Sequence, residues 1–257
     1  MYPDLFGISG FSMTFMIIIG AIAASILLFV YLHRKGVPSS SFLDLAIVII
    51  VTVFMGIVFA ILFENIYEAI KHAVNNLEQK WTWGMTFYGG LFGGVITFLL
   101  MYRFYYLRHN EAILANIVII APSSISLGHA FGRIGCFLSG CCYGVETDVA
   151  HGVVFPGMDH AVVPTQIIEA VFLFILAGVL AVFAFKDSYP YNFVIYAVFY
   201  GVFRFIIEFF RGDERGQLAG LSPSQYWCIV LILGAIPLYI LLRKKMPRNN
   251  EDSLDEI

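Results

Sequence analysis

The feature that most limits what this chain can fold into is the recurrence of long, nearly uninterrupted apolar runs. Seven stand out, at residues 11–32, 42–63, 86–106, 112–131, 166–185, 192–210 and 225–242. Each approaches the ~20 residues a helix needs to cross the hydrocarbon core of a bilayer. The runs are continuously apolar rather than alternating, which predicts helices and not the strands of a barrel. Composition agrees: 60% of the residues are hydrophobic and 13% are charged, whereas a water-soluble domain would carry about twice that charge. The expectation is an all-α integral membrane protein with seven transmembrane helices in residues 1–245. A polar, acidic tail over 246–257 is expected to be disordered. The first run has neither a basic segment before it nor a small-residue cleavage site after it, so it reads as a retained span.

Orientation follows from the basic residues of the loops. With the amino terminus outside, nine Lys and Arg fall in cytoplasmic segments, among them Arg34, Lys35, Arg103, Arg243, Lys244 and Lys245. Five fall outside, Arg133 and Arg211 among them, and Arg204 lies within a span. This asymmetry places the carboxyl terminus in the cytoplasm and the longer loops, 64–85 and 132–165, outside. Trp81 and Trp83 in the first of these read as part of an interfacial belt. The net charge of −3 comes with no basic patch bearing interleaved aromatics, so nucleic acid is not an expected partner.

Charges inside spans are costly and point to function. In "YGVFRFIIEFFRGDERG", residues 200–216, Tyr200, Arg204, Glu208 and Arg211 recur at helical spacing on one face. Arg204 and Glu208 alone would read as a structural pair four residues apart. A second arginine on the same stripe calls for an anion within lipid, for which a phospholipid phosphate is the simplest candidate. Guanidinium suits it because its planar fork binds phosphate through two N–H groups and keeps its charge.

Three further segments carry unusual residues. "GHAFGRIGCFLSGCCYG", residues 128–144, sets Arg133 between Gly132 and Gly135, with His129 one turn earlier and Cys136 just beyond. Glycines there allow close helix approach or expose backbone N–H groups to an anion. "MTFYGGLFGGVITF", residues 85–98, has Tyr88 before Gly89 and Gly90, a packing face or a pocket wall. In "VVPTQIIEA", residues 162–170, Gln166 and Glu169 are polar groups at the edge of a span, suited to capping or to binding a glycerol hydroxyl.

Taken in order, "FYGGLFGG", "GHAFGRIGCF", "VPTQIIEA", "YGVFRFIIEFFRGD" and "GLSPSQYW" resemble the prolipoprotein diacylglyceryl transferase family over roughly residues 85–230. The resemblance implies a bacterial plasma-membrane enzyme. It would move the diacylglyceryl group of phosphatidylglycerol, or a related anionic phospholipid, to the lipobox cysteine of a preprolipoprotein and release glycerol phosphate. Arg133 matches the arginine of the family's signature, Arg204 and Glu208 its Arg-x-x-x-Glu pair, and Tyr200 the tyrosine one turn earlier. Gly89, Gly90, Gly132, Gly135, Cys136, Gln166, Tyr200 and Arg211 are then the expected substrate-binding set. Tyr88 and His129 join Arg133, Arg204 and Glu208 as residues expected to take part in the chemistry.

The chain also departs from the family pattern. Tyr88 stands where a histidine is usual, Cys136 replaces an asparagine, Cys141 a glutamate and Met13 a tyrosine. Three readings remain open: the same reaction with another base, the same lipid donor with a different acceptor such as a glycan, polymer or lipid hydroxyl, or a phospholipid-binding protein without catalysis. The spacing of Cys136, Cys141 and Cys142 lacks the paired C-x-x-C of zinc fingers; no metal or organic cofactor is implied, and a redox or metal protein stays as the alternative of a different class. A disulfide from Cys136 to either neighbour, or simple packing of small residues, would account for them.

Overall fold

The structure, a computed structural model, describes residues 4–5, 8–9, 11–75, 87–106, 111–148, 152–187, 190–212 and 220–245. Trp81, Trp83 and the acidic tail lie outside the described residues, as does the side chain of Tyr88. A short antiparallel pair, β1 (Asp4–Leu5) and β2 (Ile8–Ser9), precedes seven α-helices among the described residues. These are α1 (Phe11–Arg34), α2 (Ser40–Asn75), α3 (Phe87–Met101), α4 (Glu111–Leu138), α5 (Thr165–Asp187), α6 (Asn192–Ile207) and α7 (Pro223–Lys245).

Six helices among the described residues are long and apolar enough to cross a membrane, namely all but α3. The third expected span is instead a shorter apolar helix, Phe92–Phe104, whose end loosens into a π turn at Tyr102–Tyr106. Large aliphatic side chains stay exposed along the helices, as Ile18, Ile22 and Ile26 do on α1, which is the surface lipid requires. The first residues of two expected loops prove to be helical. α2 continues to Asn75, a length of roughly 54 Å that exceeds the bilayer core, and α4 continues to Leu138, so Arg133 lies in a helix and not in an outer loop.

The chain divides into two compact units. The smaller, His33–Leu114, is built on α2 and α3. Gly89 and Gly93 bring the α3 backbone against Phe59 and Phe63, and a Cβ at Gly89 would lie 2.7 Å from the Phe59 carbonyl oxygen. Gly90 faces Ala60 and the Gly56 carbonyl. These glycines therefore serve helix packing.

The larger unit joins residues 1–32 to 115–257 and carries α4 to α7. Polar side chains tie its helices together where apolar burial gives no net drive in lipid. Ser123 of α4 donates to the Ala177 carbonyl of α5 at 2.7 Å. Asn192, wholly buried at the start of α6, donates to Ile119 of α4 at 2.9 Å and to Leu180 of α5 at 3.1 Å. Phe172 and Phe203 stack at 3.9 Å between α5 and α6. α1 meets α4 backbone to backbone: a Cβ on Gly20 would lie 2.8 Å from the Gly128 carbonyl oxygen and 2.9 Å from the Phe131 Cβ. Gly20→Val should therefore destabilise the protein by about 1–3 kcal/mol. Gly234→Ala, where an added Cβ meets nothing within 4 Å, should be neutral or better. Thermal unfolding in detergent compares the two.

Candidate active site

Three helix ends supply the charged cluster: the last turns of α4, the first turns of α5, and the end of α6. Proline at 164 sets the start of α5, whose second turn brings Glu169 close to the positive end of the helix dipole. Glu169 has no solvent exposure and is the centre of the cluster. Its Oε2 lies 2.6 Å from Arg133 Nη2. Its Oε1 accepts a hydrogen bond from the Tyr200 hydroxyl at 3.1 Å. The same oxygen stands 3.9 Å from both His129 Nε2 and Arg204 Nε. The rings of His129 and Tyr200 meet edge to face at 5.4 Å.

Arg204 also pairs with Glu208, Nη2 to Oε2 at 2.8 Å. Both residues are buried, and the helix tightens to a 3-10 turn at Glu208–Phe210 directly after Ile207. Glu208 is held from its other side by Ser222, whose hydroxyl donates to Oε1 at 2.8 Å. Ser222 caps α7 as well. Its hydroxyl accepts the Gln225 N–H at 3.3 Å, and Gln225 Oε1 accepts the Ser222 N–H at 2.9 Å. This is a capping box with proline at the first helical position. The "GLSPSQYW" segment thus fixes the end of α7 and the carboxylate of Glu208 together.

Two guanidiniums face two carboxylates here, and each guanidinium retains a buried N–H without a hydrogen-bond partner among the described residues, Nε of Arg133 and Nη1 of Arg204. Buried donors are rarely left unpaired, and a ligand with several acceptor oxygens would satisfy both. Of the expected substrate-binding set, Tyr200 enters the cluster. Gln166 sits one turn before Glu169 and donates to the Cys141 carbonyl at 2.7 Å. Gly132 and Gly135 lie inside α4, whose helical ladder takes their N–H groups, so they do not expose backbone to an anion; Gly135 packs on Met13 and Met16 of α1. Gly89 and Gly90 are used in packing on α2.

Arg211 departs from the expected stripe. It leaves the 3-10 turn in extended conformation, bridges Gly144, and hydrogen-bonds the Cys142 side chain. The chain turns there on Gly140 and Cys142, both with positive φ (69° and 65°). The thiols of Cys136, Cys141 and Cys142 are not joined in a disulfide, and their Sγ atoms lie within 4.8 Å of one another. Thr165 donates to the Cys142 carbonyl at 3.1 Å, so the first residues of α5 hold this turn in place. Hydrogen bonds from the other two thiols, and then from Arg211, hold the Cys142 thiol far below its usual range.

The residue that sequence reasoning undervalued is Glu169. It was one of two polar groups at a span edge, and only the fold shows that it meets Arg133, Arg204, His129 and Tyr200. Ser222 and Gln225 were legible in principle through the S-x-x-Q spacing of a capping box.

A chain of membrane-crossing helices that buries paired arginines and carboxylates at one end of its bundle is a multi-pass membrane protein with an intramembrane polar site. It belongs to the prolipoprotein diacylglyceryl transferase family, whose pattern matches residues 5–241. A phosphatidylglycerol–prolipoprotein diacylglyceryl transferase of Clostridium tetani is 34% identical over 238 residues, spanning 90% of this chain and 92% of its own. A second enzyme of that description, from Clostridium perfringens, is 29% identical over 250 residues, 94% of each chain. One from Geobacter sulfurreducens is 33% identical over 180 residues, 66% of this chain and 65% of its own.

Glu169→Gln should remove the charge shared by Arg133 and Arg204 and leave both buried without it. The expected cost is about 3–5 kcal/mol, read as a lowered unfolding temperature in detergent. Unchanged stability would mean that Glu169 does not hold the two arginines.

Proposed function

We propose that this chain transfers the diacylglyceryl group of phosphatidylglycerol to the lipobox cysteine of a preprolipoprotein, releasing glycerol phosphate. The observation that carries this reading is the buried cluster of Arg133 and Arg204 around Glu169, with one N–H on each guanidinium that has no hydrogen-bond partner among the described residues. Seven spans, counting α3 with its π turn, would set the amino terminus outside a bacterial plasma membrane and the carboxyl terminus in the cytoplasm. The site then opens to the outer leaflet, where both the lipid and an exported acceptor arrive.

In the reaction the acceptor sulfur attacks the glyceryl carbon that bears the phosphate. A sulfur–carbon bond forms and the carbon–oxygen bond breaks. The electron pair leaves with the phosphate of glycerol phosphate, which gains a negative charge, while the thiol proton is released. Fixed guanidiniums in a dry site stabilise that charge far better than water could. Glu169 and Glu208 orient the two arginines, and Tyr200 steadies Glu169. Of the two residues put forward for proton transfer, Tyr88 and His129, His129 lies 3.9 Å from Glu169. It stands among two guanidiniums and one carboxylate, and protonating it would add a third cation. Its better role is a hydrogen bond to the glycerol head group.

Arg133→Lys and Arg204→Lys should each lower turnover by roughly 10²-fold or more, because a point charge does not reproduce the planar fork. The assay gives the purified chain phosphatidylglycerol and a lipobox peptide, and follows peptide mass together with released glycerol phosphate. Full activity in either variant would remove the phosphate-binding role. Glycerol phosphate without peptide modification would replace the proposed acceptor with another.

A further inference from the structure

The thiols of Cys136, Cys141 and Cys142 lie close to the charged cluster. Cys136 follows Arg133 by three residues on α4, and Gln166, which holds the Cys141 carbonyl, precedes Glu169 by three on α5. Arg211, which bonds Cys142, follows Glu208 by three. Each of the three chain segments thus gives one residue to the carboxylate–guanidinium cluster and another, about one turn away, to the thiol cluster or to the contacts that hold it. In the helical segments that step is roughly 4.5 Å.

We propose that Cys136, Cys141 and Cys142 hold a zinc ion whose open fourth position takes the acceptor thiol and removes its proton. This rests on the transferase reading above. Geometry supports the site first. Tetrahedral zinc about 2.3 Å from each sulfur sets neighbouring sulfurs roughly 3.8 Å apart, and the three Sγ atoms already lie within 4.8 Å of one another. The turn is fixed by Thr165 and Gln166 through the carbonyls of Cys142 and Cys141, so the thiols are presented together rather than by chance. Cys136 is buried, while Cys141 and Cys142 are half-exposed, which gives the cluster one closed and one open side. Three protein ligands with an open position are the pattern of a reactive zinc rather than a structural one. Three thiolates and Zn²⁺ leave one negative charge, and Arg211 stands against Cys142 to balance it.

The chemistry fills the step the charged cluster serves least well. Glu169 and Glu208 are both committed to guanidiniums, and a thiol must become a thiolate to attack. A thiol bound to zinc loses its proton outright, here to water on the open side. The zinc-bound sulfur then forms the bond to the glyceryl carbon, and the carbon–oxygen electron pair leaves with glycerol phosphate toward Arg133 and Arg204. The neutral thioether is a weaker ligand than the thiolate and dissociates. Nothing is oxidised or reduced, and zinc keeps its charge throughout.

The test uses the full chain, purified in detergent under reducing conditions, with zinc as the probe. About one zinc per chain is expected, lost in Cys136→Ser and in Cys141→Ser but kept in Cys228→Ser. Replacement by cobalt should give a sulfur-to-metal charge-transfer band. Its ligand-field bands should change on adding a lipobox peptide and not on adding the peptide with serine for cysteine. Chelation should lower peptide modification by about 10²-fold, and zinc should restore it. Because these metal readouts use the unmutated chain, misfolding of a cysteine variant does not blunt them. A disulfide among the three cysteines, copper in place of zinc, or peptide modification indifferent to chelation would each overturn the zinc proposal and leave the transferase reading standing. A zinc-loaded chain that neither modifies peptide nor releases glycerol phosphate would overturn both.

Discussion

The arrangement of this protein depends on one buried carboxylate. Glu169 has two guanidiniums, an imidazole and a phenol around it, and a charge that far from water persists only with such company. Because its partners come from α4 and α6, the ion pairs also hold those helices to α5. The stacking of Phe172 on Phe203 and the reach of Asn192 to both α4 and α5 act between the same helices, through packing and backbone hydrogen bonds. Polar and apolar contacts thus converge on one geometry.

That geometry links binding to chemistry. Arg133 and Arg204 are held by carboxylates, and each retains an N–H with no hydrogen-bond partner among the described residues. In the proposed reaction such a preorganised cluster needs little reorganisation when charge develops on a leaving phosphate. Ser222 extends the same logic: one hydroxyl serves both the end of α7 and Glu208, so the position of a carboxylate is fixed by a helix cap.

Much of this was legible in the sequence, for definable reasons. Apolar runs announced the helices, and Arg204 with Glu208 stood out because a charge within such a run has few innocent explanations. Arg133 was visible as a permanent charge at the end of such a run, though the apolar run ends at residue 131 and its helix continues to Leu138. Glycine ends a helix in water more readily than where close packing rewards its absent side chain, and Gly135 lies against α1. Glu169 was harder to rank, since a polar residue near the start of a span is ordinarily a cap. The three cysteines were harder still. Their spacing matches no familiar metal pattern, and only the positive-φ turn at Gly140 and Cys142 folds them back on the end of α4.

The order of charges along the chain has a consequence for biogenesis. Arg133 leaves the ribosome before Glu169, and Glu169 before Arg204 and Glu208. During insertion α4 carries a cation with no partner yet made, then α5 brings an anion, and α6 arrives with its own neutralising pair. The bundle is charged after α4, becomes neutral once α5 joins it, and stays neutral when α6 arrives. Lateral release of α4 into lipid is therefore favoured only once α5 is beside it, so the site proposed to receive a phospholipid also sets the sequence in which its helices can leave the insertion machinery.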